Sequence, residues 1–171
     1  MSITKRVTRR GQLETVYVET SFVSYAASEL GRDLVIAGMK QLSREWWKEQ
    51  RGQFDVFTSQ LVIEESAQGD SVEAAKRLDL LKAVPILEFR DEAETLASML
   101  ILKHGLPEGA VQDALHVAVA AIYGMDFLLT WNCKHIANPR MQDKIHSICS
   151  MAGYQCPMIC TPLVLKGRRS R

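Results

Sequence analysis

EGAVQDALHVAVAAIYGMDFLLTWN, residues 108–132, decides how this chain folds. Its first part, up to Gly124, is rich in alanine and valine and apolar almost all round, which is typical of a helix packed against a sheet. The apolar run 126–130 that follows predicts a short buried strand. A buried helix that leads directly into a buried strand is typical of α/β proteins.

The same alternation continues along the rest of the chain. Short apolar runs predict strands, and the longer segments between them have helical periodicity. This order predicts an α/β fold with a central parallel sheet of about five strands, covered by helices on both faces. The predicted strands are 14–19, 54–58, 84–89, 126–130 and 157–161, and the predicted helices are 33–51, 60–82, 91–104, 108–124 and 140–152.

Length and composition predict one globular domain. The chain has 171 residues, of which 47% are hydrophobic and 24% are charged, as in ordinary globular proteins. No apolar run approaches the length of a membrane-spanning helix. The start of the chain is polar and basic, without the apolar core of a signal peptide, so we expect a cytoplasmic protein.

The net charge of +1 conceals a division between the ends and the body. Residues 1–12 and 166–171 hold eight cations and no acid, and the remaining 13 basic and 20 acidic residues give the body a charge of about −7. We therefore predict a disordered basic extension over 1–12, a single domain over 13–165 and a basic tail over 166–171. The cations of the ends either contact nucleic-acid phosphates or are simply solvated. They are Lys5, Arg6, Arg9, Arg10, Lys166, Arg168, Arg169 and Arg171.

All four cysteines fall in the last 40 residues: Cys133, Cys149, Cys156 and Cys160. Together with His135 and His146 they allow a zinc site, although no Cys-x-x-Cys knuckle is present. The other interpretation is that they are small buried core residues, and the sequence favours it.

Two predicted strands lead to acidic residues. The first ends at Glu19, which Thr20 and Ser21 follow. After the second, the apolar residues of the next helix point roughly 60° from Glu65 but roughly 160° from Glu64, so Glu65 is expected to face inward and Glu64 solvent. Glu65 either belongs to a site or only favours the dipole at the helix start.

A third acid lies on the helix quoted above. Asp113 and His116 are three residues apart and are therefore neighbours on one face, which is either solvated or turned into a cleft. The following strand ends in Thr130-Trp131-Asn132 at a carboxyl edge, whereas Asp126 precedes that strand and is read as a turn residue at the opposite edge. Sites of parallel sheets form beyond the carboxyl ends of the strands.

Glu19, Glu65 and Asp113 can therefore converge at one edge of one sheet. Neighbouring carboxylates repel unless a cation compensates them, and Mg²⁺ or Mn²⁺ prefers oxygen ligands. A metal there lowers the pKa of its bound water and neutralises charge on a phosphoryl group. The chemistry indicated is metal-dependent hydrolysis of a phosphodiester.

The segments VYVETS, SQLVIEE and QDALHVAVAAIYGMDFLLTWN together resemble the PIN domain, the fold of many RNA-cleaving nucleases, including the VapC-like toxins of type II toxin–antitoxin systems. The later segments KHIAN and GYQCPMICTPLVL resemble a bacterial branch of that family, so that the similarity covers about residues 14–165. The resemblance implies a three-layer α/β/α sandwich, a Mg²⁺- or Mn²⁺-dependent ribonuclease, a small inhibitory antitoxin and a homodimer.

The resemblance also implies a set of site residues. The four acidic positions of the family fall on Glu19, Glu65, Asp113 and Asn132. Glu19 replaces the usual aspartate with a longer acid, and Asn132 replaces an acid with a neutral amide that holds a metal more weakly. The supporting residues would be Thr20 and Ser21 at the first acid, Thr130 at the fourth position and His116 beside Asp113.

Three interpretations follow. The chain is a metal-dependent ribonuclease and toxin, a PIN-fold binding module that lost the metal through Glu19 and Asn132, or a zinc-stabilised interaction domain.

Two adjacent tryptophans bear on partners: a helix places Trp46 and Trp47 about 100° apart, so only one can face a given core patch. The other packs under a loop or forms an interface with a second copy or an antitoxin.

Overall fold

Residues 12–166 are described by the structure, a computed structural model. Their five strands are β1 (Glu14–Val18), β2 (Phe54–Ser59), β3 (Ile86–Leu87), β4 (Phe127–Leu129) and β5 (Met158–Cys160). All four pairs of neighbouring strands are parallel, in the order β3-β2-β1-β4-β5. The predicted α/β fold with a parallel sheet of five strands is confirmed.

The first strand lies at the centre of the sheet. Val16, Tyr17 and Val18 have no exposed surface, as expected of a strand covered on both faces. The chain moves outward from β1 through β2 to β3, then returns to place β4 on the other side of β1. The strand order therefore reverses between β1 and β4, and in such sheets a crevice forms there, outside the carboxyl ends of the strands.

Within residues 12–166, seven α-helices connect the strands and fall into two groups. α1 contacts α2, α3 and α4, whereas α5 contacts α6 and α7. Right-handed crossovers place helices that follow the two directions of strand order on opposite faces of the sheet. The helices are α1 (Thr20–Ala27), α2 (Leu34–Glu45), α3 (Gln60–Ser66), α4 (Ser71–Leu81), α5 (Asp91–Leu102), α6 (Val111–Ile122) and α7 (Pro139–Met151).

The helix predicted over 60–82 is two helices, α3 and α4. Gly69 separates them with a φ of 84°, a left-handed conformation that glycine adopts without steric cost. Asp70 then caps α4, since its carboxylate accepts hydrogen bonds from the backbone N–H groups of Val72 and Glu73.

The predicted helix 33–51 is α2 followed by a π-helical turn, Trp46–Gln50. Trp46 is a core residue whose ring stacks on Phe54 at 5.7 Å and whose Nε1 donates to the carbonyl of Leu165 at 2.9 Å. Trp47 is only half-buried, and the guanidinium of Arg51 lies 4.2 Å above its ring. The two tryptophans therefore occupy different environments, as their angular separation predicts.

The basic cations Lys5, Arg6, Arg9, Arg10, Arg168, Arg169 and Arg171 lie outside the described residues, so the assignments of 1–12 and 166–171 as disordered ends stay predictions. None of the helices within residues 12–166 combines the length and apolarity needed to cross a membrane.

Candidate active site

Glu19 lies at the carboxyl end of β1, where it is the N-cap of α1 and is almost fully buried. Its Oε2 accepts a hydrogen bond from the backbone N–H of Ser21 at 2.8 Å. Its Oε1 accepts from the hydroxyls of Ser21 and Thr130. Both oxygens of this carboxylate are therefore engaged within the protein, and they link the start of α1 to the end of β4.

Thr20 does not support Glu19 as expected, because its hydroxyl donates to Oε2 of Glu65 instead. The reason is geometric: Glu19 turns back on the N–H of Ser21, so that the first helical side chain is free to reach across to α3. Thr20 thus connects the helix after β1 to the helix after β2, the neighbouring strand.

Glu65 faces inward and Glu64 outward, in agreement with their angular positions on α3. The side chain of Glu65 is 24% exposed, and its Oε2 lies 3.0 Å from Nε2 of His116. Glu64 is exposed and accepts a hydrogen bond only from Gln60, at 3.2 Å, among residues 12–166. Burial opposes ionisation of Glu65, but its interactions with His116 and Thr20 outweigh burial and lower the pKa of Glu65 below its usual value.

His116 is buried on α6, and both nitrogens of its ring have hydrogen-bond partners. Its Nδ1 lies 2.9 Å from the hydroxyl of Tyr17, which in turn lies 2.7 Å from Oγ of Ser59. Burial is the main cause that raises the pKa of Tyr17 well above its usual value, so Tyr17 is a neutral phenol. The negative charges of the Glu19 and Glu65 carboxylates raise that pKa further.

Asp113 lies one turn before His116 on α6, at the end of the helix that faces the carboxyl edge. Its Oδ2 is 2.6 Å from Nδ1 of His135, and the two side chains are 21% and 20% exposed. The backbone N–H of His135 donates to Oδ1 of Asn132 at 3.1 Å. Thr130 accepts a hydrogen bond from the backbone N–H of Asn132 at 2.9 Å, so the fourth predicted position is held from both sides.

His135 and Tyr17 are the functional candidates that sequence reasoning missed. His135 falls in KHIAN and in the Cys133-x-His135 spacing, which indicate a family resemblance and a zinc pattern but not a contact with Asp113. Tyr17 is an aromatic residue in an apolar strand, which local pattern assigns to the core. Their partners are 22 and 99 residues away in the chain, so no short motif contains the contacts.

The four predicted positions therefore lie at one edge of the sheet, but their carboxylates do not form one group. Among residues 12–166, no set of three or more His, Cys, Asp and Glu side chains is placed to hold a metal ion. The donor chemistry nevertheless fits a hard cation, because Oε1 of Glu65 and Oδ1 of Asp113 accept no hydrogen bond from the described part of the chain. Two carboxylates thus have an open oxygen, whereas Glu19 does not.

The cysteines divide between core and surface. Cys149 and Cys156 are buried, as expected of small core residues, and burial raises the pKa of the half-buried Cys160 to about 12. Cys133 differs from that expectation, because it is exposed in the turn after Asn132. The described residues include no zinc-binding group of three or more side chains, so the structure gives the zinc interpretation no support.

Comparisons with known proteins address the fold as a whole. No curated protein matches the sequence significantly. The structure is similar to VapC20 from Mycobacterium tuberculosis, a toxin that cleaves the sarcin-ricin loop, with 18% identity over 72% of this chain and 95% of the other and a TM-score of 0.53. It is also similar to VapBC2 from Rickettsia felis bound to a DNA fragment from the promoter, with 16% identity over 86% and 98% of the two chains and a TM-score of 0.50. A family model of the PIN domain matches residues 16–132, more than half of the chain, and the protein therefore belongs to the PIN domain family.

Proposed function

We propose that this protein is a divalent-metal-dependent endoribonuclease that acts as the toxin of a type II toxin–antitoxin pair. Membership of the PIN family and the likeness to a toxin that cleaves the sarcin-ricin loop support the proposal. The main observation in its favour is that two carboxylates at the carboxyl edge of the sheet each have an oxygen free of described hydrogen bonds. Glu65 and Asp113 each have one oxygen bonded to an imidazole and the other without a hydrogen bond from residues 12–166.

Glu65 and Asp113 would hold the cation, and Asn132 would contribute its amide oxygen or orient a water ligand. Glu19, at the end of β1, would become a ligand of the cation if its carboxylate turned away from Ser21 or Thr130, with which it is now hydrogen-bonded. Bound there, Mg²⁺ or Mn²⁺ would lower the pKa of a water ligand and neutralise charge on the phosphodiester. In the present structure, hydrogen bonds from the hydroxyls of Ser21 and Thr130 compensate for the burial of the Glu19 carboxylate.

The direct test is cleavage of RNA by the purified protein with and without Mn²⁺, using two neighbouring acids as a matched pair. Glu65→Gln removes the charge of the inward carboxylate, and we expect cleavage to fall by about 100-fold or more, as for the loss of one group that stabilises the transition state. Glu64→Gln changes the adjacent, exposed acid and should leave cleavage within about 2-fold of wild type, since its only described partner is Gln60. Equal losses in the two variants would contradict the placement of the site.

Two observations favour a second function. Both oxygens of Glu19 are hydrogen-bonded within the protein, and the described residues include no ready group of three metal ligands. These features suit a PIN-fold binding module that has lost its metal. Titration with Mn²⁺ separates the two functions, because binding to the folded state alone stabilises it by about 1–3 kcal/mol when the ion is well above its dissociation constant. An unchanged melting temperature at saturating Mn²⁺ favours the binding module.

The antitoxin and the homodimer belong to the same proposal. The likeness to VapBC2, which was solved bound to promoter DNA, supports a system of the same kind. The experiment is to co-express the chain with the product of a short open reading frame directly upstream of its gene and to measure RNA cleavage and mass of the complex. We expect a stable complex with suppressed cleavage, and a monomer with unchanged cleavage would contradict the toxin–antitoxin assignment.

A further inference from the structure

A buried line of polar side chains runs from β2 to the candidate site. It joins Ser59, Tyr17 and His116 and ends at Glu65, through contacts of 2.7, 2.9 and 3.0 Å. Ser59 and His116 are each 2% exposed, and Tyr17 has no exposed surface. Because water does not reach these groups, every hydrogen in the line needs an acceptor within the protein.

That requirement fixes the direction of each hydrogen bond. Oε2 of Glu65 already accepts a hydrogen bond from the hydroxyl of Thr20, and a carboxylate oxygen only accepts, so Nε2 of His116 carries a hydrogen. Ser59 already accepts a hydrogen bond from the backbone N–H of Val62 as the N-cap of α3. Its own hydroxyl hydrogen has no described acceptor except the oxygen of Tyr17, so Tyr17 must donate onward to Nδ1 of His116.

The opposite direction leaves a donor without a partner. If Nδ1 of His116 also carried a hydrogen, Tyr17 would have to donate to Ser59, and the hydroxyl hydrogen of Ser59 would be buried without an acceptor. Such a loss costs about 1–3 kcal/mol. Among the described residues, the buried side-chain atom that lacks a hydrogen bond is Oγ of Ser66, which lies outside this line. The contacts therefore favour the neutral Nε2–H form of His116.

We propose that Ser59, Tyr17 and His116 form a positioning relay, which fixes the Nε2–H tautomer of His116 and thereby reserves Oε2 of Glu65 for the protein. Oε1 is then the oxygen that Glu65 presents to a divalent cation at the open edge. The use of Oε1 for a cation rests on the proposed function, whereas the tautomer does not. In this arrangement His116 and Tyr17 are positioning residues, since they act on the site through Glu65.

The first experiment reads the tautomer directly in the intact wild-type protein. Two-bond ¹H–¹⁵N correlation spectra distinguish the two neutral tautomers and the imidazolium, and the loss of one signal set in His116→Gln assigns His116 among the four histidines of the chain. We expect the neutral Nε2–H form near neutral pH. A Nδ1–H form or an imidazolium would overturn the relay, whatever the protein does to RNA.

The second experiment measures Mn²⁺ affinity in Tyr17→Phe, which keeps the ring and removes the hydroxyl. We expect affinity to weaken by about 10-fold, the lower end of the effect of outer-shell partners on metal sites. Tyr123→Phe is the matched control, because its hydroxyl donates to the exposed carbonyl of Glu88, and it should bind as wild type does. Equal affinity in the two variants would show that the Tyr17 hydroxyl does not position Glu65.

Substitution of His116 completes the test. His116→Gln keeps a side-chain N–H that can donate to Glu65 and should bind Mn²⁺ more tightly than His116→Leu, which cannot donate. If the wild type itself binds no Mn²⁺, the metal-dependent function fails, and the tautomer measurement alone then decides the relay.

Discussion

Residue 19 shows how one methylene changes what a carboxylate can reach. From the end of β1, Glu19 caps α1 through the N–H of Ser21 and also accepts from Thr130 at the end of β4. An aspartate in the same place could still cap the helix, but its shorter side chain would not span both partners. At this scale the acid is a structural link as well as a proposed metal ligand.

We therefore predict an order for substitutions at this position. Glu19→Asp keeps the charge and loses part of the link, whereas Glu19→Gln keeps the size but turns an amide NH₂ toward hydrogen-bond donors. RNA cleavage should fall in the order wild type, Asp, Gln, and excess Mn²⁺ should partly restore the Asp variant. Denaturant unfolding should show that Gln costs about 1–3 kcal/mol of stability. Full cleavage by Glu19→Gln would remove Glu19 from the site and leave it as a helix cap.

The pH dependence of stability tests the environment of Glu65. Its pKa is lowered in the folded protein, so the ionised carboxylate stabilises the fold at pH values above the ordinary pKa of about 4.5. This contribution should be lost as the pH falls through the lower pKa of the folded state. The difference in unfolding free energy between wild type and Glu65→Gln should therefore shrink in acid. Glu64→Gln is the control for removing one carboxylate from α3, because Glu64 is exposed and its described partner is Gln60.

At the scale of elements, Gly69 separates α3, which carries Glu65, from α4. Continuous helical periodicity over 60–82 hides that break, because Gly69 interrupts it with a single left-handed residue. Glu65 lies in the last turn of α3, where it contacts Thr20 and His116.

Two glycines provide a matched test of this break. Gly69→Ala places a side chain at a φ of 84° and should lower stability by about 1–2 kcal/mol, although no atom lies within 4 Å of the new Cβ. Gly38→Ala lies within α2, also in open space, and should raise stability by about 0.5–1 kcal/mol. Thermal unfolding of both variants measures the two effects. If both glycines respond in the same direction, backbone conformation is not what distinguishes them.

At the scale of the whole molecule, Trp46 ties α2 and its π-helical turn to the end of the described chain. Its Nε1 donates to Leu165, and its ring packs against Phe22 and Phe54. Trp47 packs against the same core, with the ring centre of Phe22 6.1 Å from its own and the guanidinium of Arg51 4.2 Å from its ring centre.

We predict that Trp47→Ala lowers the melting temperature and leaves self-association unchanged, because the half-buried Trp47 ring packs against the core. Trp46→Ala should cost more, about 3–5 kcal/mol, as for other buried aromatic residues. Calorimetry and the concentration dependence of the molecular mass separate the two effects. Weaker association of Trp47→Ala at an unchanged melting temperature would instead assign Trp47 to an interface.

Local sequence determined the parts of this protein that depend on periodicity and on strand ends. The α6–β4 unit follows from residues 108–132, and the inward position of Glu65 relative to Glu64 follows from the 100° step of a helix. The placement of Glu19, Glu65, Asp113 and Asn132 at one edge follows from the parallel sheet, because successive strands end on the same side.

Only the tertiary structure decided which atoms of those residues remain open. Thr20 is hydrogen-bonded to Glu65 rather than to Glu19. His135 is hydrogen-bonded to Asp113, and Tyr17 of β1 is hydrogen-bonded to His116 of α6. Each of these contacts joins residues that lie between 22 and 99 positions apart, so their geometry depends on how helices pack on the sheet and not on local spacing. A pattern of acids predicts where carboxylates gather, but the hydrogen bonds that burial imposes determine which of their oxygens can bind anything else.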